Sequence, residues 1–341
     1  MEVNCAGCAG CCLDWRPLLE SDPAAAAARD DAEGGTGSDA DRGRKRLHVP
    51  VDRTDTEQGA SREPLDDGAT VVPLTRDEER AFLERGMAAA LRPRFWRARD
   101  DEDGVEIDGH TLAAVAGRPV FVVGLRRPPK RVAPFGREEA TWLPACVFLD
   151  PTTPQCRIHE RELYPDECGA YPNRNLALEE ETECERVEAA FGGGRLLEAT
   201  HDDPDGLLLG PRAIGAKLFC HPRPGDLTGL VDRAATGDLT RRDRAELIAV
   251  AAASSSGTLA ISDHHYEWAK TRVLEAADDG SWVGPAIRDW HRHRRATGET
   301  EPSPAIADAI EVDRGHPRRR AGEPASDVKP LQSKCGVCAC W

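Results

Sequence analysis

The chain is poor in lysine, has no long apolar run, and carries none of the short motifs by which common cofactors and nucleophiles are recognised. Only six of its 45 basic residues are lysines, set against 60 acidic residues, for a formal net charge of −15 over 341 residues. A nucleic-acid reader normally presents a basic face, so no nucleic-acid partner is expected. The two basic stretches, RGRKR at 42–46 and Arg318–Arg320, lie among Gly, Pro and acidic residues and read as solvated linker charge. Acid-rich, lysine-poor composition fits a protein kept in solution by hydrated carboxylates in concentrated cytoplasmic salt; its charge then reports the solvent more than a partner. No window approaches the eighteen or more apolar residues of a membrane helix. Met1–Cys12 also lacks the basic start and apolar stretch of a secretory signal. A cytoplasmic location with no membrane partner is expected. Gly-x-Gly-x-x-Gly after a strand, Gly-x-x-x-x-Gly-Lys-Ser/Thr, Gly-x-Ser-x-Gly and His-Glu-x-x-His are all missing, which leaves catalysis unassigned.

What the chain does have is cysteine, twelve in all. In a reducing compartment, that many thiols point to metal ligands or reactive groups before disulfides. Residues 4–15 read NCAGCAGCCLDW, with Cys5, Cys8, Cys11 and Cys12 inside eight positions, two of them adjacent. A Cys-x-x-Cys loop lets two sulfurs converge on one ion while the backbone turns beneath it, and Gly7 and Gly10 make such turns easy. A second set follows as Cys146, Cys156, Cys168 and Cys184, and a third closes the chain as Cys335, Cys338 and Cys340. Thiolates select zinc, iron–sulfur clusters or cuprous copper over harder ions, and eight thiols suit two tetrahedral sites or one cluster with spare ligands. Spacing does not choose between zinc and iron. Cys220, beside His221 and Pro222, stands alone.

Chain ends fray unless something ties them down. An ion bridging Cys5–Cys12 to Cys146–Cys184 would do so, and would tolerate a long insertion between them. The expected organisation is a cysteine-cluster domain over 1–20 and 66–225, interrupted by a flexible, low-complexity insertion at 21–65. A helical extension follows over 226–297, then a linker and Cys-rich tail over 298–341. Within this frame VVPL at 71–74 reads as a short strand, and Thr75 with Glu78 has capping-box spacing for a helix over 75–91. VEIDGHTLAAV and RPVFVVGLRR read as strands parted by Gly117, with Val120–Gly124 in the core. Thr240 with Asp243 begins a second helix, and Asp263 a third that stops at Gly280. A further helix follows over 285–298. The fold class is therefore α+β: a small, irregular, metal-stapled domain of short strands with a helical C-terminal extension.

The order Cys-x-x-Cys-x-x-Cys-Cys, Cys-x-Phe-Leu-Asp, Cys-x-Ile-His-Glu and Cys-x-x-Tyr-Pro resembles the YkgJ-type cysteine-cluster family of zinc- or iron-chelating domains. The resemblance rests on Cys5, Cys8, Cys11, Cys12, Cys146, Phe148, Leu149, Asp150, Cys156, Ile158, Glu160, Arg161, Cys168, Tyr171 and Pro172, with Cys184 matching the later cysteine. It covers 5–15 and about 142–195. The chain departs from the family's pattern at His159, Glu162 and Gly169, where Tyr, Pro and Arg are usual. The resemblance implies metal binding but no particular reaction; a related cluster in flagellin lysine methylases is associated with an iron–sulfur centre.

Among other candidates, His159 lies between two expected ligands, while Asp150, Glu160 and Arg161 fit roles in orienting ligands or bridging the loop. The adjacent His264 and His265, and the pair His291 and His293, do not share a helix face and read as ordinary helix residues. Three functions stay open. The first is a binding protein for zinc or iron through the eight core cysteines. The second is an iron–sulfur enzyme for protein methylation or electron transfer, and the third a thiol redox sensor. The metal ion is the one partner expected; a protein partner and a substrate stay unassigned.

Overall fold

The computed structural model describes residues 3–5, 7–21, 63–68, 71–99, 104–177, 181–197, 214–255, 259–275, 281–297 and 304–311. Cys335, Cys338, Cys340 and residues 22–62 of the expected insertion lie outside them. Where the chain resumes, Pro64 bridges Trp96 and Leu65 is already buried in the core.

A one-turn 3-10 helix at Gly10–Cys12 leads into α1 (Arg16–Ser21). Next comes α2 (Arg76–Glu84), opened by the expected capping box: Glu78 N–H donates to the Thr75 hydroxyl while the Glu78 carboxylate accepts from Thr75 N–H. The helix stops well short of Leu91 because Gly86 takes a left-handed conformation (φ 69°). The chain is thereby freed to form β1 (Leu91–Phe95). Then follow β2 (Gly104–Ile107), β3 (His110–Val115), β4 (Arg118–Leu125), β5 (Pro129–Val132), β6 (Thr141–Pro144), β7 (Leu149–Asp150) and β8 (Gln155–Cys156). Three short helices come next, α3 (Asp166–Ala170), α4 (Asn173–Ala177) and α5 (Glu183–Phe191). After β9 (Phe219–Cys220) the described chain is helical: α6 (Leu230–Ala235), α7 (Arg241–Ala253), α8 (Asp263–Glu275), α9 (Val283–Thr297) and α10 (Pro304–Glu311).

The fold is α+β with antiparallel sheets. The main sheet has the order β1-β4-β3-β2, with β9 also pairing with β4; β5-β6 and β7-β8 form separate two-stranded ladders. The segment 105–115, expected as one strand, is a hairpin. Asp108 and Gly109 both have positive φ, the two-residue turn that Asp-Gly favours. Residues 71–74 are not a strand; Pro73 makes only an isolated bridge to Gly124. That crossing needs glycine. A Cβ on Gly124 would stand 1.8 Å from Val71 Cγ1 and 2.6 Å from the Val72 carbonyl oxygen. Gly124→Ala is expected to destabilise by about 1–3 kcal/mol through overpacking, read from the urea midpoint; an unchanged midpoint would show that 71–73 does not cross there.

Helix α7 organises the core. Its run Ala245-Glu-Leu-Ile-Ala-Val-Ala-Ala-Ala is apolar around nearly the whole circumference, and such helices are buried on all sides. Residues Leu247–Ala253 are solvent-free, wedged between the sheet, α2 and α8. The Thr240–Asp243 capping box opens the helix as expected. Phe121 stacks between Phe95 and Phe219 at 5.7 and 5.8 Å, and Phe148 lies between Phe82 and Trp282. Helices α6 to α10 thus share one core with the sheet.

A second, smaller core holds the N-terminal segment. Leu13, Trp15, Leu18, Val132, Leu143, Leu149 and Val187 are buried together with Cys8, and Phe135 and Phe191 pack against them. Trp15 meets both phenylalanines edge-on, and its indole N–H donates to Glu183 at 3.0 Å. Cys146 packs against both cores.

Candidate metal centre

Protein contacts alone seat the N-terminal cysteines. Val3 bridges Leu196, Leu13 bridges Ala145, and Asn4 N–H donates to the Arg195 carbonyl at 2.7 Å. The ordered start, expected to require an ion, is accounted for by this pairing and by the aromatic cluster around Trp15. Gly7 (φ 64°) and Ala9 (φ 54°) turn the chain so that Cys8 N–H reaches the Cys5 carbonyl and Cys12 N–H the Ala9 carbonyl. Cys8 Sγ then accepts from Gly10 N–H at 3.5 Å and Arg195 Nε at 3.3 Å. Gly10 is pressed against α5: a Cβ would lie 2.9 Å from Val187 Cγ2.

The two cysteine sets meet. Cys146 N–H donates to the Cys12 carbonyl at 2.6 Å, and Leu149 N–H to the Cys146 carbonyl at 2.9 Å. The β7-β8 register sets Cys156 opposite Leu149. Tyr164 OH holds the Cys168 carbonyl at 3.0 Å, and α5 carries Cys184 across the Gly10–Cys12 turn. Cys11 and Cys12 sulfurs are 3.9 Å apart.

The thiols' ionisation follows from this arrangement. Burial pushes the Cys156 thiol up to about 12, reinforced by the charges of Cys146 and Cys11. Cys5 is pushed up to about 11 by burial, then by Cys11 and Cys8. Burial and then the charges of Cys11, Cys8 and Cys5 raise Cys184, while burial and then Cys146, Cys11 and Cys156 raise Cys168. Cys146 is raised mainly by burial; Cys12 is raised by its contact with Cys11 and by burial. Cys11 moves the other way, held down by its contact with Cys12 and, against burial, by Arg127. Cys11 is the common neighbour, acting on Cys5, Cys12, Cys146, Cys156, Cys168 and Cys184. It does not act on Cys220, whose only electrostatic neighbour of note is Arg118.

Correction of the remaining expectations follows from the same geometry. Among the described residues, no three His, Cys, Asp or Glu side chains stand in an arrangement that would hold a metal ion. His159 packs its ring on Tyr164 at 4.9 Å. Asp150 caps its own turn through Thr152 and pairs with Arg157 at 3.3 Å. Glu160 is exposed with a positive φ of 54°. His265 hydrogen-bonds Ser262, and His264 lies edge-on to His265.

Sequence reasoning missed the cations that hold these loops. Lys130 Nζ donates to the carbonyls of Val147 at 2.9 Å and Leu149 at 2.7 Å, fixing the segment after Cys146. Arg127 Nη2 donates to the Cys11 carbonyl at 3.0 Å. Lys130 is one of the six lysines and sits beside Arg131 in β5, where no local pattern marks its role.

Away from the thiols, Glu246 on α7 accepts from Tyr266 OH at 2.6 Å and Lys270 Nζ at 2.8 Å, faces buried His221 at 3.4 Å, and has Arg223 at 3.8 Å. These partners outweigh burial and hold its carboxyl down to about 2. A depressed carboxyl gives stability that is fully present above its unfolded value of about 4.3. That contribution is lost as pH falls toward 2. The melting-temperature gap between wild type and Glu246→Gln should accordingly close between about pH 4.5 and 2; a gap constant across that window would contradict the network.

Residues 1–322 match a family described as "Family of unknown function (DUF7531)", and the chain belongs to that family. No curated protein and no solved structure matches it. This corrects the resemblance to the YkgJ-type family. That likeness rested on short cysteine spacings over 5–15 and 142–195, which unrelated thiol sites can share, whereas the observed match runs through the insertion and the helical region alike. No helix among the described residues is long and apolar enough to cross a membrane.

Proposed function

Starting from membership of a family without an assigned activity, we propose that the chain is a thiolate metal-binding protein. It takes zinc or iron, singly or as an iron–sulfur cluster, through Cys5, Cys8, Cys11, Cys12, Cys146, Cys156, Cys168 and Cys184. The observation that carries this reading is the Cys146 N–H to Cys12 carbonyl contact, which joins two thiol sets far apart in sequence. Clustered thiols, most of them held back from ionising by burial and by one another, are poor company without a cation; a soft divalent ion removes that repulsion and favours thiolate. Closing the side chains on an ion calls for rotation about their Cα–Cβ bonds, which staggered cysteine rotamers allow. In this reading the ion staples a terminus that the backbone has already seated, in a reducing cytoplasm that keeps the thiols free. The 3.9 Å approach of Cys11 and Cys12 favours a second reading, in which this pair exchanges disulfides as a redox sensor.

The test is elemental analysis and a visible spectrum on untagged protein purified without oxygen. Zinc near one or two equivalents, or iron with labile sulfide, is the expected result. Metal-free protein whose thiol count falls reversibly with oxidant would replace metal binding by the redox reading.

A further inference from the structure

In a chain of net charge −15, one surface cleft gathers positive charge. Arg92, Arg127, His291 and Arg294 line a cavity of about 230 Å³ with Asp14 as its single acidic wall residue. Its floor is apolar: Val71, Leu125, Pro129 and Pro144. The walls are fixed by backbone pairing, since Asp14 N–H donates to the Pro144 carbonyl at 2.8 Å and Pro73 bridges Gly124. Gly68 completes the wall, where a Cβ would come within 3.1 Å of the Arg92 guanidinium.

Of the cleft's cations, Arg92 is paired with a carboxylate, while Arg127 and Arg294 are left facing the opening. Asp14 is engaged by Arg16 at 2.6 Å, and Asp66 takes Arg92 at 2.8 Å. Arg127 spends a donor on the Cys11 carbonyl, and among the described residues neither it nor His291 nor Arg294 has a carboxylate at ion-pair distance. The surroundings add to the excess. Arg126 is held down to about 10 by burial and then by Arg244 and Arg92, and His291 is lowered by desolvation and then by Arg126, Arg295 and Arg294. Clustered cations that repel one another while acidic residues abound elsewhere mark a place where an anion completes the structure.

We propose that this cleft binds a small organic dianion, a dicarboxylate or phosphate monoester with a short apolar body. The guanidinium groups of Arg127 and Arg294 take the charged head, since planar donors suit carboxylate and phosphate oxygens. The proline and valine floor takes the carbon chain. The cavity, about 230 Å³, has room for a small metabolite. No cysteine lines the cleft; Arg127 alone touches both regions, through its bond to the Cys11 carbonyl.

The experiment is calorimetric titration of the full chain, at fixed ionic strength, with succinate, propyl phosphate and inorganic phosphate. Saturable binding of at least one organic dianion is expected, about tenfold tighter than inorganic phosphate because the floor contributes. Arg294→Glu should weaken it by about tenfold or more. Arg295→Glu, an equal charge change on a neighbouring residue outside the lining, should cost less than about threefold. Both positions are exposed on α9, so folding is not at risk. Succinate alone or propyl phosphate alone identifies the head group. Absence of saturable binding by both, equal affinity for inorganic phosphate, or equal effects of the two variants would each overturn the assignment.

Discussion

Glu311→Gln lowers stability by about 3–5 kcal/mol, the usual result of removing one partner from a buried ion cluster. The Glu311 carboxylate is fully buried. It meets Lys130 Nζ at 2.5 Å and Arg157 Nε at 3.1 Å, and accepts the Trp290 indole N–H at 2.9 Å. Lys130 is equally buried, so glutamine leaves an ammonium with only carbonyl partners. Arg157 keeps Asp150 at 3.3 Å. The double variant Lys130→Met with Glu311→Leu should recover much of the loss, because it removes the charges as a pair. A chain ended before Pro304 should behave like Glu311→Gln or worse. Equilibrium urea unfolding reads all three; a loss below about 1 kcal/mol for Glu311→Gln would mean that α10 does not dock where the structure places it.

Cys146→Ser and Cys12→Ser should each lower metal content and melting temperature together, while Cys220→Ser changes neither. Structural zinc contributes about 10–16 kcal/mol where an apo chain is unfolded. Here the terminus is already paired to Leu196 and Ala145 and packed around Trp15. The apo chain therefore keeps its fold, and the loss should fall well below that range, at several kcal/mol. A chelator should reproduce it in wild type and add nothing in the variants. Cys220 is the internal control, since no other thiol among the described residues contributes to its shift. Equal behaviour of Cys146→Ser and Cys220→Ser at unchanged metal content would remove the metal reading.

What was legible in the sequence was local. The Thr75–Glu78 and Thr240–Asp243 boxes are short-range patterns, and both helices begin where those patterns put them. Asp108-Gly109 was legible too, but the alternation on either side ran together and hid a hairpin inside one expected strand. Pro73 and Gly124 misled in a complementary way: VVPL has strand composition, yet its role is to cross a glycine at close range. The eight cysteines were picked out by spacing; the structure joins the two sets through the backbone of Cys12 and Cys146, and neither ligand geometry nor family could be read from spacing. Lys130, Arg157 and Glu311 were invisible because their meaning is purely long-range. Nothing near Glu311 in sequence announces that it will neutralise two buried cations from segments encoded far upstream. The cleft cations were passed over for the same reason, since Arg92, Arg127 and Arg294 belong to separate segments.

The pairing of Val3 with Leu196 and Leu13 with Ala145 also sets an order of events at the ribosome. Cys5–Cys12 are translated long before either partner strand exists, and the Lys130 that steadies the Cys146 loop waits longer still for Glu311. The nascent chain thus carries four crowded thiols through most of its synthesis with no fold around them.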